Sequence, residues 1–91
     1  MPKAPFEVTW SRIVAHAGKY FRTKTGLEFT YRVEKNVFRP SRTDYGIARS
    51  DFEKAYDLVP LSGPGEITSL VRGPSYVWAV LHDPRIARGE W

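Results

Sequence analysis

The stretch LEFTYRVE, residues 27–34, decides the fold class, because apolar and polar residues alternate along it without exception. Alternation with a period of two is typical of a β-strand that buries one of its faces. The sequence therefore predicts a strand at this place, and its inward side chains are expected to be Leu27, Phe29, Tyr31 and Val33.

The residues after this run predict a β-hairpin. Lys35 and Asn36 are expected to reverse the chain, because Asn tolerates a positive φ, and residues 37–39 return as a second strand before Pro40. With a two-residue loop, Arg32 stands directly across from Arg39 on the outer face. A three-residue loop through Glu34 breaks that pairing. The Asn-Gly signature of a tight turn is absent, so both registers stay open.

Helical periodicity and helix-start signals surround the hairpin. A stripe beginning at Trp10, with Thr9 as its cap, predicts a helix that reaches about Tyr20, although Gly18 offers an earlier stop. Ser50 and Glu53 match a capping box, which predicts the start of a second helix that ends before Pro60. Residues 41–49 are expected to be a loop, residues 66–71 a short helix, and residues 75–82 a buried helix that is apolar nearly all round.

These elements predict an α+β fold in the order α-β-β-α-α-α. A lone hairpin is not stable in water, so a small antiparallel hairpin or three-stranded sheet must pack against three to four helices. The chain has 91 residues, which is enough for one core, so residues 1–91 are expected to form a single domain.

The composition excludes several classes of protein. The chain has no cysteine, so disulfides, thiolate metal sites and a cysteine nucleophile are excluded. The first ten residues carry two prolines and no apolar run, which indicates that no signal peptide is present. The longest apolar run, residues 76–81, is far shorter than the about 20 residues that cross a membrane. A soluble cytoplasmic protein with no membrane partner is expected.

Positive charge is concentrated in the first half of the chain. Residues 1–50 carry a net charge of +6 and residues 51–91 a net charge of −2, which gives +4 for the whole chain. Such asymmetry is evidence about association with polyanions. We therefore expect a nucleic-acid-binding module, DNA or RNA, that uses the outer face of the hairpin and the adjacent loop. The candidate residues are Lys24, Arg32, Lys35, Arg39, Arg42, Tyr45 and Arg49.

The roles of these candidates follow from their chemistry. Lysine and arginine neutralise phosphates and release condensed counterions, and arginine also makes bidentate contacts. Tyr45 lies in the basic loop and is the aromatic residue expected to stack on a base. Arg72, before the Gly73-Pro74 helix start, is a weaker candidate for holding a single phosphate.

The main alternative is a protein interaction or dimerisation module with no nucleic-acid role. Trp91 ends the chain beyond a segment that offers little to bury it, and an exposed tryptophan is a typical anchor for a protein partner or a homodimer. Enzymatic activity is not expected, because His16 and His82 are the only histidines and no nucleophile motif accompanies them. No catalytic residue, metal site or cofactor is predicted.

Overall fold

The first helix is shorter and begins earlier than its stripe of apolar residues predicts. The computed structural model describes residues 3–91 and places α1 at Phe6–Ala15, after Pro5. Met1 and Pro2, which open the segment used above to exclude a signal peptide, lie outside the described residues. The predicted extension to Tyr20 is wrong. The chain leaves the helix because Gly18 adopts a φ of 88° and its N–H donates to the carbonyl of Tyr31.

Thr9 lies inside α1 and is fully buried, so the predicted cap is wrong. Among residues 3–91, the Thr9 hydroxyl is buried without a hydrogen-bond partner. A buried polar group without a partner destabilises a fold by about 1–3 kcal/mol. We therefore expect Thr9→Val to raise the free energy of unfolding by about 1 kcal/mol in urea denaturation. A lower free energy of unfolding would show that the hydroxyl has a stabilising partner.

The alternating run forms two short strands and does not continue as one. β1 (Phe21–Arg22) pairs antiparallel with β2 (Glu28–Phe29), and β3 (Tyr31–Glu34) belongs to a second sheet. The partner changes at Thr30, whose backbone N–H donates to the side chain of Ser41. Phe29 and Tyr31 are buried as predicted. Leu27 is 43% exposed, because it lies in the turn before β2, so its predicted inward orientation is wrong.

The second sheet has three antiparallel strands in the order β3-β4-β5, with β4 at Val37–Pro40 and β5 at Ile47–Ala48. The prediction of a loop over residues 41–49 is therefore wrong for residues 47–49, which form β5 and the first residue of the next helix. β5 runs directly into α2 (Arg49–Tyr56), and Ala48 occupies the N-cap position without a side-chain hydrogen bond. The predicted capping box at Ser50 does not form, because the strand sets the start of the helix.

The C-terminal third is helical. A 3₁₀ helix at Pro64–Ile67 precedes α3 (Pro74–Leu81), which begins at a proline after the left-handed Gly73. The short helix predicted at residues 66–71 is thus shifted toward the N-terminus. α3 is confirmed as a central element, since Val77, Val80 and Leu81 are fully buried. A further helix, α4 (Pro84–Ala87), follows Asp83, whose side chain accepts from the Arg85 N–H; the sequence analysis did not predict it.

The fold class is confirmed as an α+β arrangement of two small antiparallel sheets and four helices. The buried side chains form one aromatic-rich cluster between the sheets and the helices. Phe38, on β4, lies at its centre: its ring stacks on Tyr31 at 4.3 Å between centroids and packs against Phe52 at 4.8 Å. The inner face of β3-β4 is thus anchored to the core, which leaves its outer face to the solvent.

Candidate nucleic-acid interface

The turn between β3 and β4 sets the register of the hairpin. Lys35 and Asn36 both have positive φ, at 49° and 65°, as a two-residue type I′ turn requires. Arg32 is therefore the direct cross-strand partner of Arg39, and Val33 is the partner of Phe38. Of the two registers that the sequence left open, the structure has the one that places two arginines side by side on the outer face.

A groove of about 470 Å³ begins at this arginine pair. We call it the hairpin groove. It lies between the open end of the hairpin and the loop that leads from β4 to β5. Three of the predicted site residues, Arg32, Arg39 and Tyr45, line it together. Its other lining residues are Thr30, Tyr31, Pro40, Ser41, Thr43 and Asp44.

One carboxylate lies between the two arginines. Oε1 of Glu34 is 3.4 Å from Nε of Arg32 and 3.2 Å from Nε of Arg39. Like charges directly opposite on two strands repel each other, and a bridging anion relieves this repulsion. All three side chains are exposed, with 73%, 42% and 55% accessibility for Arg32, Arg39 and Glu34. Exposed ion pairs of this kind are weak, so the arginines keep much of their capacity to bind another anion.

Hydroxyl groups line the groove beside the arginines. Ser41 Oγ accepts from the Thr30 N–H at 3.0 Å, and Thr43 donates its hydroxyl proton to the carbonyl of Tyr45 at 3.2 Å. Together with guanidinium groups, hydroxyls are common donors to phosphate oxygens. Asp44 is the acidic lining residue, so the groove carries charges of both signs beside its hydroxyl groups.

Tyr45 is partly buried and packs against the core. The guanidinium carbon of Arg72 lies 4.9 Å from the centroid of its ring. One face of the ring is therefore covered, and the geometry differs from the free aromatic side chain expected from the sequence. The Tyr76 side chain lies close by: burial raises the pKa of Tyr76, the nearby Tyr45 raises it further, and the positive charge of Arg42 opposes both effects.

The remaining predicted residues do not join Arg32 and Arg39. The ammonium group of Lys24 donates to the carbonyl of Ser62 at 2.8 Å and lies 5.9 Å from the centroid of the Trp78 ring. The Arg49 guanidinium lies over Phe6 of α1, 5.1 Å from the ring centroid. Lys35 is exposed at the hairpin turn, away from the open end of the hairpin, and Arg42 donates from Nε to the carbonyl of Glu28. Of the seven candidates, Arg32, Arg39 and Tyr45 thus share the groove, whereas Lys24 and Arg49 contact other parts of the fold.

Arg72 is the residue at this site that the sequence analysis underestimated. Arg72 lies just before α3 and its side chain is exposed. Its guanidinium group packs on the ring of Tyr45, which is itself a lining residue of the groove. Gly73 allows this approach, because a Cβ at that position would lie 3.2 Å from the Tyr45 hydroxyl and 2.6 Å from Cδ1 of Ile47. The Arg-Gly-Pro sequence was a weak signal for this contact, since it did not indicate which surface residue 72 would meet.

Trp91 packs onto the core of its own chain. Its indole N–H donates to the carbonyl of Leu81 at 2.7 Å, and its ring meets that of Tyr56 edge-on at 5.1 Å. The chain end is held there by Glu90, which accepts from Arg12 at 2.7 Å and from the Ala4 N–H at 2.9 Å. Trp91 is therefore partly buried in its own chain, which differs from the exposed anchor for a protein partner or a homodimer that the sequence predicts.

The two histidines are both bound to backbone groups. Nδ1 of His16 lies 2.8 Å from the carbonyl of Arg12. Nε2 of His82 accepts from the Leu61 N–H at 2.9 Å, so the proton of the neutral ring is on Nδ1, which faces the carbonyl of Trp78 at 3.1 Å. His82 thus links α3 to the segment before the 3₁₀ helix.

This arrangement predicts a pH-dependent stability. Burial lowers the pKa of His82, and the hydrogen bond to Trp78 and the charge of Glu66 oppose this effect only in part. The pKa of His82 in the folded state is below its unfolded value of about 6.5. The contribution of neutral His82 to the stability of the fold is therefore present above that pH and is lost as the pH falls below it. We expect Tm to fall between about pH 7.5 and 5.5, a range in which carboxylates stay ionised.

The same pH series on two variants assigns the effect. His82→Gln should reduce the pH dependence of Tm, whereas His16→Gln should retain it. If the His82→Gln variant keeps the full dependence on pH, the Leu61 contact is not its source.

Comparisons with protein-family models, with curated proteins and with solved structures give no match to this chain. None of the helices formed by residues 3–91 is long and apolar enough to span a membrane. Within the same residues, no group of three or more histidine and acidic side chains is placed to hold a metal ion.

Proposed function

We propose that this chain is a nucleic-acid-binding module that holds the phosphodiester backbone in the hairpin groove. The observation that supports this most strongly is the direct cross-strand pairing of Arg32 and Arg39, both of which line the groove. A guanidinium group binds phosphate oxygens in a bidentate geometry that an ammonium group lacks, and the hairpin places two guanidinium groups on one face.

The contacts are expected to be with phosphates and sugars more than with bases. Arg72 covers one face of Tyr45, which reduces the ring surface available for stacking. The hydroxyls of Thr30 and Ser41 can donate to backbone oxygens of the ligand, since the Thr43 hydroxyl already donates to the carbonyl of Tyr45. Such contacts position a ligand without reading its sequence. We therefore propose binding that depends weakly on sequence and strongly on ionic strength.

The proposed site is narrower than the set of basic residues that the sequence suggested. Arg32 and Arg39 form its centre, whereas Arg72 packs on the ring of Tyr45 and is not a lining residue of the groove. Lys24 and Arg49 are engaged with Trp78 and Phe6, so we assign them to the stability of the fold. Two to four cationic side chains are then available to the ligand: Arg32 and Arg39 at the centre, with Arg42 and Lys35 at the periphery.

Fluorescence anisotropy with labelled strands of about 20 nucleotides tests the proposal, because a single-strand site covers about 4–16 nucleotides. DNA and RNA single strands and a DNA duplex are titrated at salt concentrations from about 50 to 200 mM. We expect binding of at least one of these, with a log–log salt slope of about −1.5 to −3 on a single strand, at about 0.7 per phosphate contacted. Absence of binding to all of them at low salt would overturn the proposal.

A further inference from the structure

Glu34 occupies the place between Arg32 and Arg39 where a ligand oxygen would bind. A single carboxylate oxygen, Oε1, lies within 3.2–3.4 Å of both Nε atoms. We infer that Glu34 is an internal competitor for the phosphate, which must displace this carboxylate to reach the arginine pair. This inference rests on the proposed function and concerns the regulation of the same site.

The position of Glu34 in the hairpin explains why its carboxylate lies near both arginines. It lies on β3 next to the turn, two residues after Arg32, and pairs with Val37. Residues two apart on a strand share a face, and the cross-strand diagonal brings the side chain to Arg39. The carboxylate therefore stays close after displacement, and it repels the bound phosphate.

The displacement itself is easy. The Glu34 side chain is 55% exposed, and both of its arginine partners are more than two-fifths exposed. Water solvates all three groups, so breaking these ion pairs requires little free energy. Glu34 thus weakens binding without abolishing it, and it favours ligands with enough negative charge to outcompete one carboxylate.

The test compares Glu34→Gln with Glu28→Gln. Both substitutions remove one negative charge, and both remove an exposed partner of an arginine, since Glu28 is 48% exposed and lies 3.6 Å from Arg22. Glu28 does not line the hairpin groove. The two variants therefore change the net charge equally but only one changes the site.

We expect Glu34→Gln to bind the same labelled single strand about fivefold more tightly at low salt, the upper range for an exposed ion pair. Its log–log salt slope should become steeper by about 0.7, the contribution of one further phosphate contact. Glu28→Gln should change the affinity less than twofold. This pattern supports the competitor role.

Other patterns overturn it. Equal tightening in both variants would mean that the effect is one of overall charge, and unchanged or weaker binding by Glu34→Gln would mean that the carboxylate does not compete. In either case, replacing Arg32 and Arg39 tests the proposed site independently of Glu34. A loss of affinity in that experiment supports the site even when the competitor role of Glu34 is wrong. If a variant with both Arg32 and Arg39 replaced by glutamine also binds normally, the proposed site and the competitor role of Glu34 are both wrong.

Discussion

Replacing Arg32 and Arg39 together with glutamine is expected to weaken nucleic-acid binding by about 30-fold at low salt. The two guanidinium groups are exposed and line the same groove, and each is expected to contribute about 1 kcal/mol to binding. The log–log salt slope should become shallower by about 1.5, because two phosphate contacts are lost. Anisotropy titrations with the wild-type protein in parallel measure both quantities.

A matched control removes the same number of positive charges outside the groove. The variant Lys19→Gln, Arg22→Gln removes two exposed positive charges from residues that do not line the hairpin groove. It should retain most of the affinity. Thermal unfolding of both variants should be close to that of the wild type, since neither pair of side chains is buried. Equal losses of affinity in the two variants would show that binding depends on total charge alone.

Replacing Phe38 with alanine is expected to have the largest effect on stability. Phe38 is fully buried and its ring touches those of Tyr31 and Phe52, so it connects the hairpin to α2. Truncation of a buried phenylalanine lowers the free energy of unfolding by about 3–5 kcal/mol, a large part of the 5–15 kcal/mol typical of a domain. We expect Tm to fall by roughly 15–25 °C, as followed by circular dichroism.

Leu27→Ala is the control for this experiment. Leu27 shares the apolar alternation of residues 27–34, yet it is 43% exposed. Its replacement should change the free energy of unfolding by less than about 0.5 kcal/mol. A loss as large as that of Phe38→Ala would mean that Leu27 packs into the core after all.

The features that the sequence could predict are those carried by local chemistry. The alternation around Phe29 and Tyr31 correctly predicted two buried aromatic residues. Asn36 favoured the tight turn because it tolerates a positive φ, and Pro74 marked the start of α3 because its ring suits the first helical position.

Features that depend on distant partners could not be predicted in this way. The change of strand partner at Thr30 depends on Ser41, and β5 has only two residues, too few for a periodic pattern. α1 stops early because Gly18 bonds to Tyr31, which belongs to another element. The start of α2 was predicted from a local capping motif, but the pairing of β5 with β4 sets it.

In the candidate site, too, local residues predicted some features and distant partners determined the others. The pairing of Arg32 with Arg39 was one of two registers that the residues themselves allowed. The partners of Lys24, Arg49 and Tyr45 lie far away in the chain, on the segment at Ser62, on α1 and before α3. A count of basic residues therefore overestimated the surface, because it could not show which cations pack on aromatic rings of the fold.

The most direct test of the proposed site is a map of the protein surface that contacts the ligand. Two-dimensional ¹H–¹⁵N NMR spectra are recorded while an unlabelled single strand is added at low salt. We expect the largest shift changes at backbone amides along the hairpin groove, at Thr30, Arg32, Arg39, Ser41 and Tyr45. Changes centred instead on Lys24 and Trp78, or spread evenly over exposed amides, would contradict binding at the groove.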